Sequence, residues 1–264
     1  MRLNTQQVAS SKGQNANLNV ASEPDDKEHE SDSLIFQVSI KNVTIWLTII
    51  TLVLNFLGVI GRGIEYLLGV EETTEIVRLV HVAEEGNLTT WFSAMLLFLS
   101  SLLLALIARA NKELEKPYVK HWVVLFLIFF LMSLDEAARI HELTIEPMRS
   151  LFNASGIFHY AWVLLAIPLL IILAIAYAKF IRDLPKKSRL LIIIAGVVFV
   201  AAAMGMDMLA GYFIAIDSAP RLLEPLLITV EELGENLAIV LFIYALLCHI
   251  KLDLKVSEIK FQMS

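Results

Sequence analysis

The segment WVVLFLIFFLM, residues 122–132, runs directly into SLDEAARIHE, residues 133–142. The first part is as apolar as a bilayer interior. The second places five ionisable side chains, Asp135, Glu136, Arg139, His141 and Glu142, within eight residues. A long apolar run ending in such a cluster predicts a membrane-spanning helix with working groups at one end, because ionisable side chains at membrane depth are costly and mark function.

The rest of the chain has the same character. Hydrophobic residues make up 57% of the 264 and charged residues 18%; the mean hydropathy is +0.69. That is more apolar surface than a soluble domain of this size needs, so the class is polytopic membrane protein. Cys248 is the single cysteine, which excludes an internal disulfide framework and limits any metal site to oxygen and imidazole ligands. No basic patch suits nucleic acid, and the net charge of −6 mixes an acidic tail with an acidic membrane face.

Six apolar stretches are long enough to span the hydrocarbon core: residues 43–60, 90–108, 122–142, 158–181, 190–213 and 226–250. The predicted fold class is all-α, a six-helix transmembrane bundle over 41–252 with short interfacial helices in the outer loops. One such helix is expected at 73–85 and another from Ser218-Ala219-Pro220. Residues 1–40, polar and bearing the run EPDDKEHE at 23–30, read as a disordered tail, and 253–264 as a second tail. Arg109, Lys112, Lys116 and Lys120 crowd one short connection, Lys179, Arg182, Lys186, Lys187 and Arg189 another, and Lys251, Lys255 and Lys260 follow the last span. By the positive-inside rule both termini are expected in the cytoplasm and the protein in the plasma (inner) membrane. Trp91, Trp122, Tyr160 and Trp162 fall near span ends, where an aromatic belt is expected.

Counting residues from the basic end at the helical rise gives depths. Asp135 lies ~21 Å up from His121, Asp207 ~27 Å from Arg189, Glu235 ~24 Å from Lys251 and Ser93 ~24 Å from Arg109. Four helices therefore bring polar groups to one level in the outer leaflet, with Glu84, Glu85, Asn87, His141 and Glu142 just above it. Asp135 and Glu142, seven residues apart, share a face with Arg139 between them, while Glu136 and His141 point elsewhere. Glu231 and Glu235 share a face, and Glu232 pairs with Glu235 and Asn236. Carboxylates and imidazoles at these spacings suit a divalent ion, zinc or calcium, with Asp135, His141, Glu85, Asp207, Glu232 and Glu235 as candidate ligands. Asp135, Glu136, Glu142, Arg139 and Ser93 are the candidate catalytic groups. A purely structural polar network is the alternative. His121 and His249 read as interfacial, and the small residues Gly196, Ala201, Ala202, Ala203, Gly205 and Gly211 as sites of close helix contact.

The stretches GNLTTWFS at 86–93 and LDEAARIHE at 134–142, with the glutamate-rich start of the sixth span, resemble a family of uncharacterised bacterial multi-pass membrane proteins. That likeness implies a fold and no activity. A more distant similarity is to alkaline ceramidase-like membrane hydrolases, in which a serine, an aspartate and histidines bind zinc for amide hydrolysis; it implies Ser93, Asp135 and His141 as counterparts. The histidine pair of that group's last helix is missing, and Glu231, Glu232 and Glu235 stand in that region. Three functions follow as expectations: a metal-dependent hydrolase embedded in the membrane and acting on a lipid or small molecule, a proton- or cation-coupled transport protein, or a non-catalytic scaffold or sensor. Expected partners are the lipid bilayer and such a substrate, with no nucleic acid. The sequence leaves the oligomeric state open.

Overall fold

A computed structural model of the chain describes residues 39–68, 87–216 and 223–254. The proposed interfacial stretches at 73–85 and 218–220, the N-terminal tail to residue 38 and most of the C-terminal tail lie outside these residues. Seven α-helices are described: α1 (Ile40–Leu68), α2 (Leu88–Glu113), α3 (Val119–Ala138), α4 (Ile145–Phe152), α5 (Val163–Asp183), α6 (Lys186–Ala215) and α7 (Leu223–Leu252). Six of them, all but α4, are long and apolar enough to cross a membrane. No strand occurs among the described residues. The protein is an all-α, multi-pass membrane protein.

The bundle is built around α2 and α7. In α2, Leu96, Leu97, Leu103, Leu104 and Ile107 are buried, and in α7 Ile239, Val240, Phe242, Ile243 and Leu246. α3 packs along α2, α6 along α7, and α1 also packs on α7. The outer helices keep apolar faces exposed, such as Phe56 in α1, Leu131 in α3, Ile175 in α5 and Val197 in α6. In a bilayer these faces meet lipid, so burial against protein is not what stabilises them.

The helices alternate in direction, and side chains tie their ends together. At the basic end, Asp253 after α7 accepts from Ser188 of α6 at 2.6 Å and bonds the His249 ring at 2.7 Å, while Lys116 reaches the Asp253 carbonyl at 2.9 Å. The Tyr118 hydroxyl donates to Asp183, joining α3 to the end of α5. His249 is buried and packs its ring 5.1 Å from that of Trp122, so it is an interhelical core group and not the interfacial residue expected. Trp122 is likewise buried, not a belt residue, and sits against Phe180. Trp91, by contrast, is 61% exposed as a belt residue should be.

At the acidic end, small residues set the spacing. A Cβ on Gly234 of α7 would lie 2.8 Å from the Ala202 Cβ of α6, and one on Gly211 would lie 2.7 Å from the Gly156 carbonyl oxygen. Backbones approach this closely only where side chains are minimal. Gly196 and Gly205 meet nothing within 4 Å, so only part of the small-residue stripe on α6 works as a contact surface. A polar stripe of Thr44, Thr48, Thr51 and Asn55 runs along α1. Their side chains bond back to carbonyls one turn earlier, which satisfies their donors without a partner helix.

Candidate functional site

The third span does not continue to Glu142. α3 stops at Ala138; Arg139 takes a left-handed conformation at φ 51°, ψ 41°, and its N–H returns to the Asp135 carbonyl at 2.6 Å. Arginine is not a favoured residue for such a cap, and the reversal is held by Asp135 itself. Its Oδ1 accepts the His141 backbone N–H at 2.7 Å, and its Oδ2 lies 2.9 Å from His141 Nδ1. A short 3-10 turn, His141–Thr144, follows.

This reversal overturns the facial pairing expected of a continuous helix. Arg139 pairs with Glu142 through Nε–Oε1 at 3.0 Å and does not stand between Asp135 and Glu142. His141, expected to point away, is the direct partner of Asp135. Burial alone lowers the pKa of the His141 imidazole. The hydrogen bond and charge of Asp135, with the charges of Glu142 and Glu136, outweigh burial and raise it above the ordinary histidine value. The aspartate fixes the ring through Nδ1, the arrangement that elsewhere orients a general base or a metal-ligating imidazole.

α6 and α7 complete the surroundings. Trp162, just before α5, donates its indole N–H to Asp207 Oδ2 at 2.6 Å and packs edge-on against the His141 ring, 5.3 Å between centroids. Asp207 thus reaches the dyad through one aromatic side chain. Glu235 lies in the electrostatic field of Glu136, Glu232, Glu231 and Asp207, and Asp207 in that of His141 and Glu142. The carboxylates of α3, α6 and α7 therefore share one region. Asp135, Glu136, Glu142, Asp207, Glu231, Glu232 and Glu235 are all half-buried. Among the described residues these carboxylates stand near the basic groups Arg139 and His141.

Ser93 has a different place. It is buried, and its hydroxyl engages Asn236 Oδ1 at 2.9 Å and the Thr89 carbonyl at 3.0 Å. Asn236 is wholly buried and donates to the Glu232 carbonyl at 2.9 Å. The Ser93–Asn236 bond locks α2 to α7 at the level of the carboxylates. Ser133 similarly donates to the Ala94 carbonyl at 2.8 Å, locking α3 to α2. Asn87 caps α2 by accepting the Thr90 N–H at 2.7 Å. α1 adds Asn55 at a similar height, ~22 Å from Ile40 at the helical rise; its Oδ1 is buried and has no hydrogen-bond partner among the described residues.

The sequence pattern did not show Trp162 as the partner of Asp207 or Asn236 as the partner of Ser93, although an indole near an intramembrane acid is a group that would satisfy it. Among the described residues no three His, Cys, Asp or Glu side chains form a group able to hold a metal ion. Of the candidate ligands, Glu85 lies outside those residues. A groove lies between α1 and α7.

Comparison with known proteins gives one match. The model of a family described as "Domain of unknown function (DUF8692)" fits residues 44–250. No curated protein and no solved structure matches the chain, so a likeness to alkaline ceramidases is not among the findings. The matched region runs from the first spanning helix to the end of the last, and the chain belongs to the DUF8692 family.

Proposed function

We propose that the protein is a membrane-embedded hydrolase with its polar site in the outer leaflet, acting on a lipid or small molecule that enters from the bilayer. The observation that carries this reading is the Asp135–His141 pair, at 2.7 and 2.9 Å, set among carboxylates from α3, α6 and α7. His141, held through Nδ1, presents Nε2 as the general base. It takes a proton from water as the oxygen attacks a carbonyl carbon, and Asp135 stabilises the imidazolium that forms. A neighbouring carboxylic acid, Glu136 or Glu235, donates a proton to the leaving group as its bond to that carbon breaks. Trp162 and Asp207 hold the far side of the imidazole. Ser93 positions α2 against α7, because its hydroxyl is engaged in the core.

The excess of carboxylates also supports a bound divalent cation, zinc or calcium, that would polarise the carbonyl. Asp207, Glu232 and Glu235 with Asp135 and His141 are its candidate ligands and would have to reorient to converge, and Glu85, outside the described residues, is a further candidate. The same excess favours a second reading, a proton or cation site in a transport protein. Against it, the basic half of the described spans carries no matching acids, so no polar path continues across the membrane.

The test is purified full-length protein in liposomes of mixed lipid amides and esters, with products read by mass spectrometry and metal content measured alongside. The hydrolase reading expects product that disappears in His141→Gln and Asp135→Asn while both variants remain folded. Cation- or proton-dependent flux without product would replace it with the transport reading.

A further inference from the structure

The seam between α1 and α7 opens towards the basic end into a groove of 210 Å³ lined by Thr44, Thr48, Leu237, Val240, Leu241 and Tyr244. Both threonines direct their hydroxyl hydrogens into their own helix, Thr44 to the Ile40 carbonyl at 2.9 Å and Thr48 to the Thr44 carbonyl at 2.8 Å. Neither has a hydroxyl donor left for an occupant, and apart from the Tyr244 hydroxyl the rest of the lining, Leu237, Val240 and Leu241, is apolar. The groove is too small for a helix ~10 Å across, but it suits a methylene chain. At its mouth the charge is positive. Lys187 Nζ lies 5.9 Å from the centroid of the Tyr244 ring that forms one wall. Lys41 stands three and seven residues before Thr44 and Thr48, on the same face of α1, and is exposed. Neither lysine has a carboxylate partner among the described residues.

We propose that this groove is a binding site for an anionic phospholipid, with an acyl chain along the α1–α7 seam and the phosphate at Lys187 and Lys41. An ammonium resting on an aromatic ring keeps N–H donors for a phosphate, and an unpaired lysine at a membrane surface selects anionic over zwitterionic headgroups. The headgroup end of the groove, at Lys187 and Lys41, lies at the basic end of the bundle, and the proposal does not depend on the hydrolase reading.

The test titrates detergent-purified full-length protein with palmitoyl-oleoyl phosphatidylglycerol or phosphatidylcholine, reading bound lipid by native mass spectrometry and thermal stability in parallel. Phosphatidylglycerol should be retained and raise the melting temperature, and phosphatidylcholine should not. Lys187→Gln should weaken retention about fivefold; Lys187→Arg should preserve it, as should Lys179→Gln on α5, a lysine of the same end remote from the groove. Thr48→Trp, which fills the groove and leaves the charge, should abolish retention; if it does not fold, Leu241→Phe asks the same question. Equal retention of the two lipids, or wild-type affinity in Lys187→Gln, would overturn the proposal. Protection by inorganic phosphate or a dihexanoyl lipid equal to that of the long-chain lipid would overturn the acyl-chain assignment.

Discussion

Replacing Ser93 with alanine should loosen the contact between the two central helices. The Ser93 hydroxyl and Asn236 Oδ1 are 2.9 Å apart, in side chains 2% and 0% exposed. The substitution removes a donor and leaves a buried amide oxygen without its bond, at a cost of about 1–3 kcal/mol in a protein interior. Interhelical hydrogen bonds in membranes average only about 0.6 kcal/mol and reach about 1.7, because the separated helices find other partners. The Ser93 hydroxyl also engages its own helix at Thr89, so the interhelical bond is one of two acceptors it serves. Full burial of Asn236 places the expected loss near the upper end, about 1–2 kcal/mol. The assay is reversible unfolding in mixed micelles titrated with a denaturing detergent, run as a double-mutant cycle with Ser93→Ala, Asn236→Leu and the pair. A coupling of about 1 kcal/mol is expected. Additive single effects, or a Ser93→Ala protein as stable as wild type, would refute the view that this bond holds α2 to α7.

Other consequences are equally open to measurement. Gly211→Ala drives a Cβ to 2.7 Å from the Gly156 carbonyl. It should lower stability by about 1–3 kcal/mol, whereas Gly205→Ala, with open space around it, should be neutral in the same thermal melts. The raised His141 pKa makes the Asp135–His141 pair pH-dependent. The folded state binds the proton more tightly than the unfolded, so this contribution is complete below the ordinary histidine pKa and is lost as pH rises through the raised folded value. Melting temperatures across that window should fall with pH in the wild type and change less in Asp135→Asn; parallel curves would contradict the linkage. Asp253→Ala removes the carboxylate that serves Ser188 and His249 and should cost about 1–3 kcal/mol, read by the same micelle unfolding.

The spans were legible because hydrocarbon demands long apolar helices, and the level of the acids was legible because the helical rise is fixed. The Ser93–Asn236 bond joins α2 to α7, and the Trp162–Asp207 bond joins the start of α5 to α6. Helical phase failed at Arg139. Counting by 3.6 assumes an unbroken helix, and the break is made by a side chain, Asp135, capturing the His141 N–H six residues on. No glycine or proline marks that turn, so ordinary stop signals are absent. His249 and Trp122 were misplaced for a related reason. Their distance from the span ends matched an interface, but ring packing and Asp253 draw both into the core.

The proposed role of the Asp135–His141 pair is chemistry on a membrane substrate. It is tested most directly by comparing the lipid composition of membranes containing wild-type protein, Asp135→Asn, His141→Gln or Glu235→Gln at matched levels of folded protein. The account predicts a lipid species consumed by the wild type and spared by all three variants. Identical lipid profiles across the four, with every variant folded, would contradict it.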